Sequence, residues 1–500
     1  MKRRHFLQSS VAAAVAASLP TSQALAAAMA TMSEAASDVN AITGSGAQVT
    51  LEQAAIKELS DNLRGRLLLS GAEGYEAARH VLNPSIDKHP ALIVQPSGAA
   101  DIMSAVTFAR ERELLVAVKC GGHSFSGKST CEGGMQIDLS SFRSARVDAQ
   151  SRTAYVAGGS LLGELDHEAM AQGLVTPAGT VSHTGVGGLT LGGGFGRLAR
   201  RFGLALDNVT GVDIVTANGK LVHADANEHQ DLFWGVRGGG GNFGVITSFE
   251  FQLYPMARTV IGGDIVFPLD KLKDVLSFYA DYVAEAPDDL YMDLGVISNP
   301  GTTDGIVLLS TCYSGPEKSA DKIYSLISKL GTPVHDGTSS VDYVALQSSW
   351  DNTDPRNKGS YMKSGFIDEF PDQLVSTIVQ NYKTFNERGT TMYFQHSGGA
   401  IGRVPADATA FAHRKSIANM LAFVEWPMED SRESHVKYIR EYWKQFEPFT
   451  DGWYTNEIDD QSAGSVNKNY QGNYERLVKV KNQYDPTNLF RLNANVKPTA

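Results

Sequence analysis

The residues with the most chemical content follow the apolar run Leu114 to Val118. They read Lys119-Cys120-Gly121-Gly122-His123-Ser124-Phe125-Ser126-Gly127. Glycines placed after a buried strand let consecutive backbone N–H groups close on an anionic ligand such as a pyrophosphate, with His123 at the mouth of the nest. Alone, a histidine between glycines is more often a hydrogen-bonded loop residue, so this loop needs support from elsewhere. A second stretch, from Thr176 to Gly196, carries Gly179, Thr180, Gly185, Gly187, Gly188, Gly192, Gly193 and Gly194, with seven glycines in the twelve positions 185–196. Each of them costs backbone entropy and offers nothing to a core, so close approach of backbone to something flat or charged explains them better than a flexible linker. The third stretch, Gly239-Gly240-Gly241-Asn242-Phe243-Gly244, formally matches G-x-G-x-x-G. It precedes the alternating run Val245 to Phe251, however, and a dinucleotide fingerprint should follow a strand and open a helix, which argues against a nicotinamide site. A fourth stretch runs from Asn473 through the turn Tyr484 to Asn488 and ends at Asn493-Ala494-Asn495.

The elements that must position these segments are legible from periodicity. Leu51 to Gly71 reads as an amphipathic helix, Ala91 to Val94 as a strand, Ala100 to Glu113 as a helix and Leu114 to Val118 as a buried strand. Short strands follow at Gln136 to Leu139 and Thr153 to Val156, then a helix around Leu162 to Gln172. Val209 to Thr216 and Leu221 to His223 form a hairpin closed at Asn218-Gly219, ahead of a strand at Val245 to Leu253. From about Tyr254 glycine thins out and longer patterns take over. They include helices at Leu272 to Glu285, Ser319 to Leu330 and Ser434 to Phe446, and a strand at Met392 to His396. This middle region reads as a second, α+β domain whose sheet covers a ligand.

Five hundred residues exceed what one core usually serves. The 42% hydrophobic and 20% charged composition is that of an ordinary globular protein. A formal charge of −11 disfavours nucleic acid and anionic membrane surfaces and leaves a small molecule as the expected partner. Three cysteines are too few for a disulfide framework, and whether Cys120 pairs with Cys131 is open. No histidine or cysteine spacing suits a metal, and none is expected. Residues 1–30 read as a targeting segment: a basic start at Lys2, Arg3 and Arg4, a short apolar run from Val11 to Ala17, and Ala24-Leu25-Ala26 as a cleavage site. That run is too short to span a bilayer, so no stable membrane insertion is expected. Arg3-Arg4-His5-Phe6-Leu7-Gln8 resembles the twin-arginine export signal, which implies a periplasmic or extracellular destination and a cofactor-loaded cargo.

In this order the four segments resemble the berberine bridge enzyme-like branch of the vanillyl-alcohol oxidase superfamily. The resemblance implies an α+β fold in which a two-part FAD-binding domain of para-cresol methylhydroxylase type, residues 71–256 and 460–500, holds an inserted substrate domain, residues 257–459, on an antiparallel sheet. It also implies that His123 is bonded to the flavin 8α-methyl, with Gly121, Gly122, Ser124 and Gly127 around it. The long glycine segment, together with Gly244 and Val245, would enclose the pyrophosphate and adenine, and Asn493 or Asn495 would approach the flavin ring. Many relatives carry a cysteine after Ala178-Gly179-Thr180 that attaches FAD a second time. Val181 stands there instead, which implies a single covalent bond.

Where the family has Y-x-N-Y, this chain has Tyr454-Thr455-Asn456-Glu457. Glu457 is thus the expected base, with Tyr454 and Tyr393 as further candidates and a structural ion pair as the rival role for Glu457. Trp350, Tyr361, Tyr393, Gln395 and His396 are candidate pocket-liners, and small Val186 leaves room for oxygen. The implied reaction is hydride transfer from an alcohol, sugar or amine carbon to FAD N5, then to oxygen, giving hydrogen peroxide. A quinone or protein acceptor would make the protein a dehydrogenase instead. A non-catalytic flavin-binding protein is the rival of another class. A hydrolase would need a nucleophile elbow, and no G-x-S-x-G occurs.

Overall fold

The computed structural model describes residues 37–499 except 300, 303, 353–355, 385–387 and 458–462. The targeting segment expected at residues 1–30 lies outside the described residues.

The first sheet has four strands in the order Arg66–Leu68, Leu92–Gln95, Met135–Asp138, Val116–Lys119. The last three are mutually parallel, and helix Ala99–Glu111 makes the crossover. Leu92, Ile93 and Val94 are fully buried, as parallel strands covered on both faces require. The expected helix from Leu51 to Gly71 is shorter than its periodicity suggested. It spans Gln53–Asn62, and the chain then forms strand Arg66–Leu68, antiparallel to Leu92–Gln95. The buried Asp101 carboxylate ends the helix by accepting the backbone N–H groups of Arg64 and Gly65 at 3.0 and 2.9 Å. Ala41, Leu51, Ile56 and Leu59 pack on this same core.

A second, antiparallel sheet has the order Leu221–Asp225, Val209–Thr216, Gly244–Gln252, Thr153–Ala157, Ala145–Asp148. The hairpin at Asn218-Gly219 forms as expected. Helices Gln230–Val236 and Tyr474–Tyr484 pack on its core, and the C-terminal Ala494 and Val496 join them.

The third sheet, between these parts of the chain, is antiparallel. Its path is His335–Asp336, Thr259–Pro268, Gly305–Tyr313, Leu290–Ser298, Thr390–His396, Ala418–Pro427, Lys358–Ile367, with Ser339–Asp342 also paired to Thr259–Pro268. Side chains alternate between its faces. Met292, Leu294, Met392, Phe394, Met420 and Ala422 enter one core with helices Leu272–Tyr282, Ala320–Ile327, Asp372–Thr384 and Arg432–Trp443. The other face turns toward the glycine segments. Three buried polar groups tie this part of the chain to the segments that precede it. Asn83 Nδ2 donates to Phe125 O and Ser360 O at 2.9 and 2.8 Å. Arg414 forms a two-pronged pair with Asp207 at 2.8 Å. Arg200 donates to Leu290 O at 3.0 Å.

Candidate functional site

Strand Val116–Lys119 delivers the loop that carries His123. The backbone N–H groups of Gly122, His123, Ser124, Phe125 and Ser126 find no acceptor among the described residues. Five consecutive donors of this kind in a partly buried loop call for an anionic or carbonyl partner. Ser124 O and Oγ accept from the N–H groups of Gly127 and Lys128 and so fold the loop back on itself. His123 Nε2 lies 2.6 Å from His183 Nδ1, and His123 Nδ1 lies 3.3 Å from Thr184 Oγ1. Burial pushes the His123 imidazole down to about 3, with His183 and Arg356 adding to the effect, so the ring is neutral. Cys120 and Cys131 are free thiols, and burial pushes Cys120 up to about 11.

The long glycine segment folds into helix Val186–Gly192. Gly185 touches Gly121 backbone to backbone: a Cβ on Gly121 would lie 2.5 Å from Gly185 N, so only glycine at both positions lets the two loops meet. At the other end, Gly192 and Gly193 receive the segment Trp453 to Glu457. A Cβ on Gly192 would lie 2.2 Å from Asn456 Oδ1, and one on Gly193 would lie 2.9 Å from the Tyr454 ring. Asn456 Nδ2 donates to Leu189 O at 3.0 Å and to Tyr454 Oη at 2.9 Å, and Gly194 N donates to the same Tyr454 oxygen at 2.8 Å. Tyr454 is thereby committed to holding the segment. Gly188 is exposed, and a Cβ there would meet nothing within 4 Å. Gly187 packs on Gly158 O, and Gly179 lies between Leu162 and Leu189. Thr180 O accepts from Arg197 Nη1 at 2.9 Å. Val186 is fully buried in the second core.

The C-terminal tail reaches the same place. Asn493 Nδ2 donates to Gly241 O at 2.9 Å, while the buried Asn495 Oδ1 has no partner among the described residues. Thr190 Oγ1 and Thr455 Oγ1 are buried in the same condition. Gly244 opens strand Gly244–Gln252, and the Val245 side chain enters the first core. Sequence reasoning missed Asn242, which is fully buried. Its Nδ2 donates to Gly239 O and Ala494 O, and its Oδ1 accepts from Val496 N. It missed Lys481 and Asp485 as well, a fully buried pair at 2.6 Å. Lys481 Nζ also bonds Asn242 O and Phe490 O. The i,i+4 spacing of that pair, which runs into the Tyr484 to Asn488 turn, was the available signal.

Opposite the glycines stands the second face of the third sheet. The Glu457 carboxyl accepts from Asn419 Nδ2 at 3.1 Å. Desolvation pushes it up to about 7, opposed by hydrogen bonds from Asn419 and Ser364. Asn419 Nδ2 also donates to Gln395 Oε1 at 2.7 Å, which places Gln395 in this cluster. Two residues along the same strand, Tyr393 donates to Asp293 Oδ2 at 2.6 Å, and Tyr291 donates to that oxygen at 2.8 Å. Burial pushes Asp293 up to about 6. The Trp350 ring lies 6.0 Å from the Tyr393 ring, edge to face. Two expected pocket-liners lie elsewhere. His396 and Tyr361 point into the helix-covered core, where His396 accepts from Met292 N at 3.1 Å and Tyr361 Oη accepts from Arg440 Nε at 3.2 Å. His396 is one residue out of step with Tyr393 and Gln395, and the alternation of a strand sends it to the opposite face.

Among the described residues no cluster of His, Cys, Asp or Glu could hold a metal ion, and no helix is long and apolar enough to cross a membrane.

Comparison with known proteins agrees with this architecture. The family described as an FAD binding domain matches residues 90–225, and that described as berberine and berberine like matches residues 453–497. An FAD-linked oxidoreductase of Dictyostelium discoideum is 32% identical over 448 residues, covering 89% of this chain and 97% of that protein. The (R)-6-hydroxynicotine oxidase of Paenarthrobacter nicotinovorans is 29% identical over 460 residues, covering 87% and 97%. The crystal structure of 6-hydroxy-D-nicotine oxidase from Arthrobacter nicotinovorans is similar with a TM-score of 0.81 at 27% identity, covering 87% of this chain and 98% of that one. The chain belongs to the berberine bridge enzyme-like family of FAD-linked oxidoreductases, and its fold is the two-part FAD-binding architecture with an inserted α+β domain.

Proposed function

We propose that this chain is an exported oxidase that holds FAD through a single covalent bond at His123 and oxidises an alcohol, sugar or amine carbon of a small molecule, with Glu457 as base and oxygen as the final acceptor. The observation that carries the reading is the Glu457 carboxyl, poised near neutrality and joined through its neighbour Asn456 to the glycine helix. Asp293 is near neutrality too, but its oxygens are occupied by Tyr291, Tyr393 and the backbone N–H of His396.

The residues present fit the cofactor. The open N–H groups of 122–126 and the bare surface at Gly188 suit its anionic and flat parts, and the orphaned Asn495 Oδ1 suits a ring N–H. When bound, FAD supplies hydride acceptance at N5. Glu457 removes the substrate O–H or N–H proton, Asn419 and Ser364 orient that carboxylate, and Trp350, Tyr393 and Gln395 line the substrate side. Val181 offers no thiol for a second bond. Residues 257–459 carry the substrate side, and residues 71–256 with 460–500 the flavin side.

The test is anaerobic bleaching of the flavin against sugars, cyclic amines and aromatic alcohols, followed by admission of air. Recovery of the yellow colour with one hydrogen peroxide per turnover is expected; recovery only with a quinone would make the protein a dehydrogenase. Glu457→Gln should slow bleaching roughly 10²- to 10⁴-fold. In the wild type the rate should climb through about pH 7, as the carboxyl ionises, and level above it. A flat pH profile, or an unslowed Gln variant, removes Glu457 from the reaction.

A further inference from the structure

We propose that His183 is the proton acceptor that lets His123 form its own bond to FAD, and that it also fixes which His123 nitrogen forms it. The inference rests on covalent attachment at His123.

Nε2 of His123 and Nδ1 of His183 are 2.6 Å apart, and the ring centroids are 4.6 Å apart with a 43° tilt. A hydrogen bond at that distance places one proton between the two ring nitrogens. With Nε2–H donating to His183, the lone pair of His123 sits on Nδ1, the nitrogen beside the Thr184 hydroxyl. The pair is set by backbone. Gly121 and Gly185 meet directly, a Cβ on Gly121 would also stand 3.2 Å from His183 O, and Asp351 holds the preceding residue by accepting from Ser182 N at 2.9 Å.

Attachment joins Nδ1 to the flavin 8α-methyl carbon. One methyl C–H and the His123 Nε2–H are broken, and the electron pair from the methyl carbon passes through the flavin to oxygen, which leaves as hydrogen peroxide with the two hydrogens. Alkylation at Nδ1 with Nε2–H retained would leave a cationic ring where burial strongly disfavours one, so transfer of that proton to His183 completes the step.

The experiment adds FAD to full-length protein produced under flavin starvation. FAD binding is read from the rise in Tm, and attachment from fluorescence that stays with acid-precipitated protein. His183→Ala and His183→Asn are expected to keep the FAD-dependent Tm rise and to attach FAD about 100-fold more slowly than wild type, because asparagine can accept the hydrogen bond but cannot take the proton. Attachment at the wild-type rate in His183→Asn overturns the proposal, and so does loss of the Tm rise in both variants. Failure of the wild type to attach FAD, or attachment persisting in His123→Ala, would instead refute the bond at His123.

Discussion

Glycine serves two purposes in this site, and single residues separate them. At Gly121, Gly185 and Gly192 a methyl group would collide with backbone or with Asn456, so these glycines let protein approach protein. At Gly188 a methyl group would meet nothing, although the residue lies inside helix Val186–Gly192. Gly188→Ala should therefore leave the FAD-free protein as stable as wild type or up to about 1 kcal/mol more stable, since alanine favours helix. The rise in Tm on adding FAD should shrink. An undiminished rise would mean that the cofactor does not lie over Gly188. Glu457 was nameable from its place after Tyr454-Thr455-Asn456. Its near-neutral ionisation was not, because that depends on the desolvating walls around it and on Asn419 and Ser364, which are remote in sequence.

At the scale of elements, the helix Tyr474–Tyr484 and the tail behind it show how a polar C-terminus is carried back to the glycine loops. Lys481 and Asp485 are fully buried, and between them they bond Asn242 O, Phe490 O and the N–H groups of Leu489 and Phe490. Burial pulls the lysine down to about 8, and Asp485 works against that shift. Lys481→Met leaves a buried carboxylate unpaired and should cost about 3–5 kcal/mol in urea unfolding. Lys57→Met, which breaks an exposed pair with Asp61, should cost less than about 1 kcal/mol. Equal, small losses would show that the buried pair does not hold the tail. Periodicity located the elements well, from the hairpin at Asn218-Gly219 to the strand ending at His396. It failed at Leu51 to Gly71, where apolar residues continue in helical register but Asp101 captures the backbone of Arg64 and Gly65.

Over the whole molecule, the glycine-rich segments and the chain that carries the third sheet meet through buried polar groups. One chain of them runs from Asp166 through Gln347 to Arg197, with Gln347 Nε2 donating to Asp166 at 3.1 Å and Arg197 Nη1 donating to Gln347 Oε1 at 2.9 Å. Burial pushes Asp166 up to about 7, whereas in an unfolded chain it would titrate near ~3.9. The native state thus binds this proton more tightly, and the stability it contributes is full below about pH 4 and is lost as pH rises toward 7. Asp166→Asn removes that loss, so the Tm of the variant minus that of wild type should grow from pH 5 to pH 8. A difference that does not change with pH would place the ionised carboxylate in a solvated setting. Export is tested at the other end of the chain: Arg3→Lys with Arg4→Lys should leave the precursor inside the cell, and unchanged export in a cell fraction assay would exclude the twin-arginine route. The sequence by itself determined the loop glycines, the histidine among them, the absent thiol at Val181 and the carboxylate at 457, because each is a local property of residue type and spacing. Only the tertiary structure decided that His183 pairs with His123, that Asn419 holds Glu457, and that Tyr393 and Gln395 face the site while His396 does not. Those facts depend on strand register and on contacts between segments tens of residues apart, which no local pattern encodes.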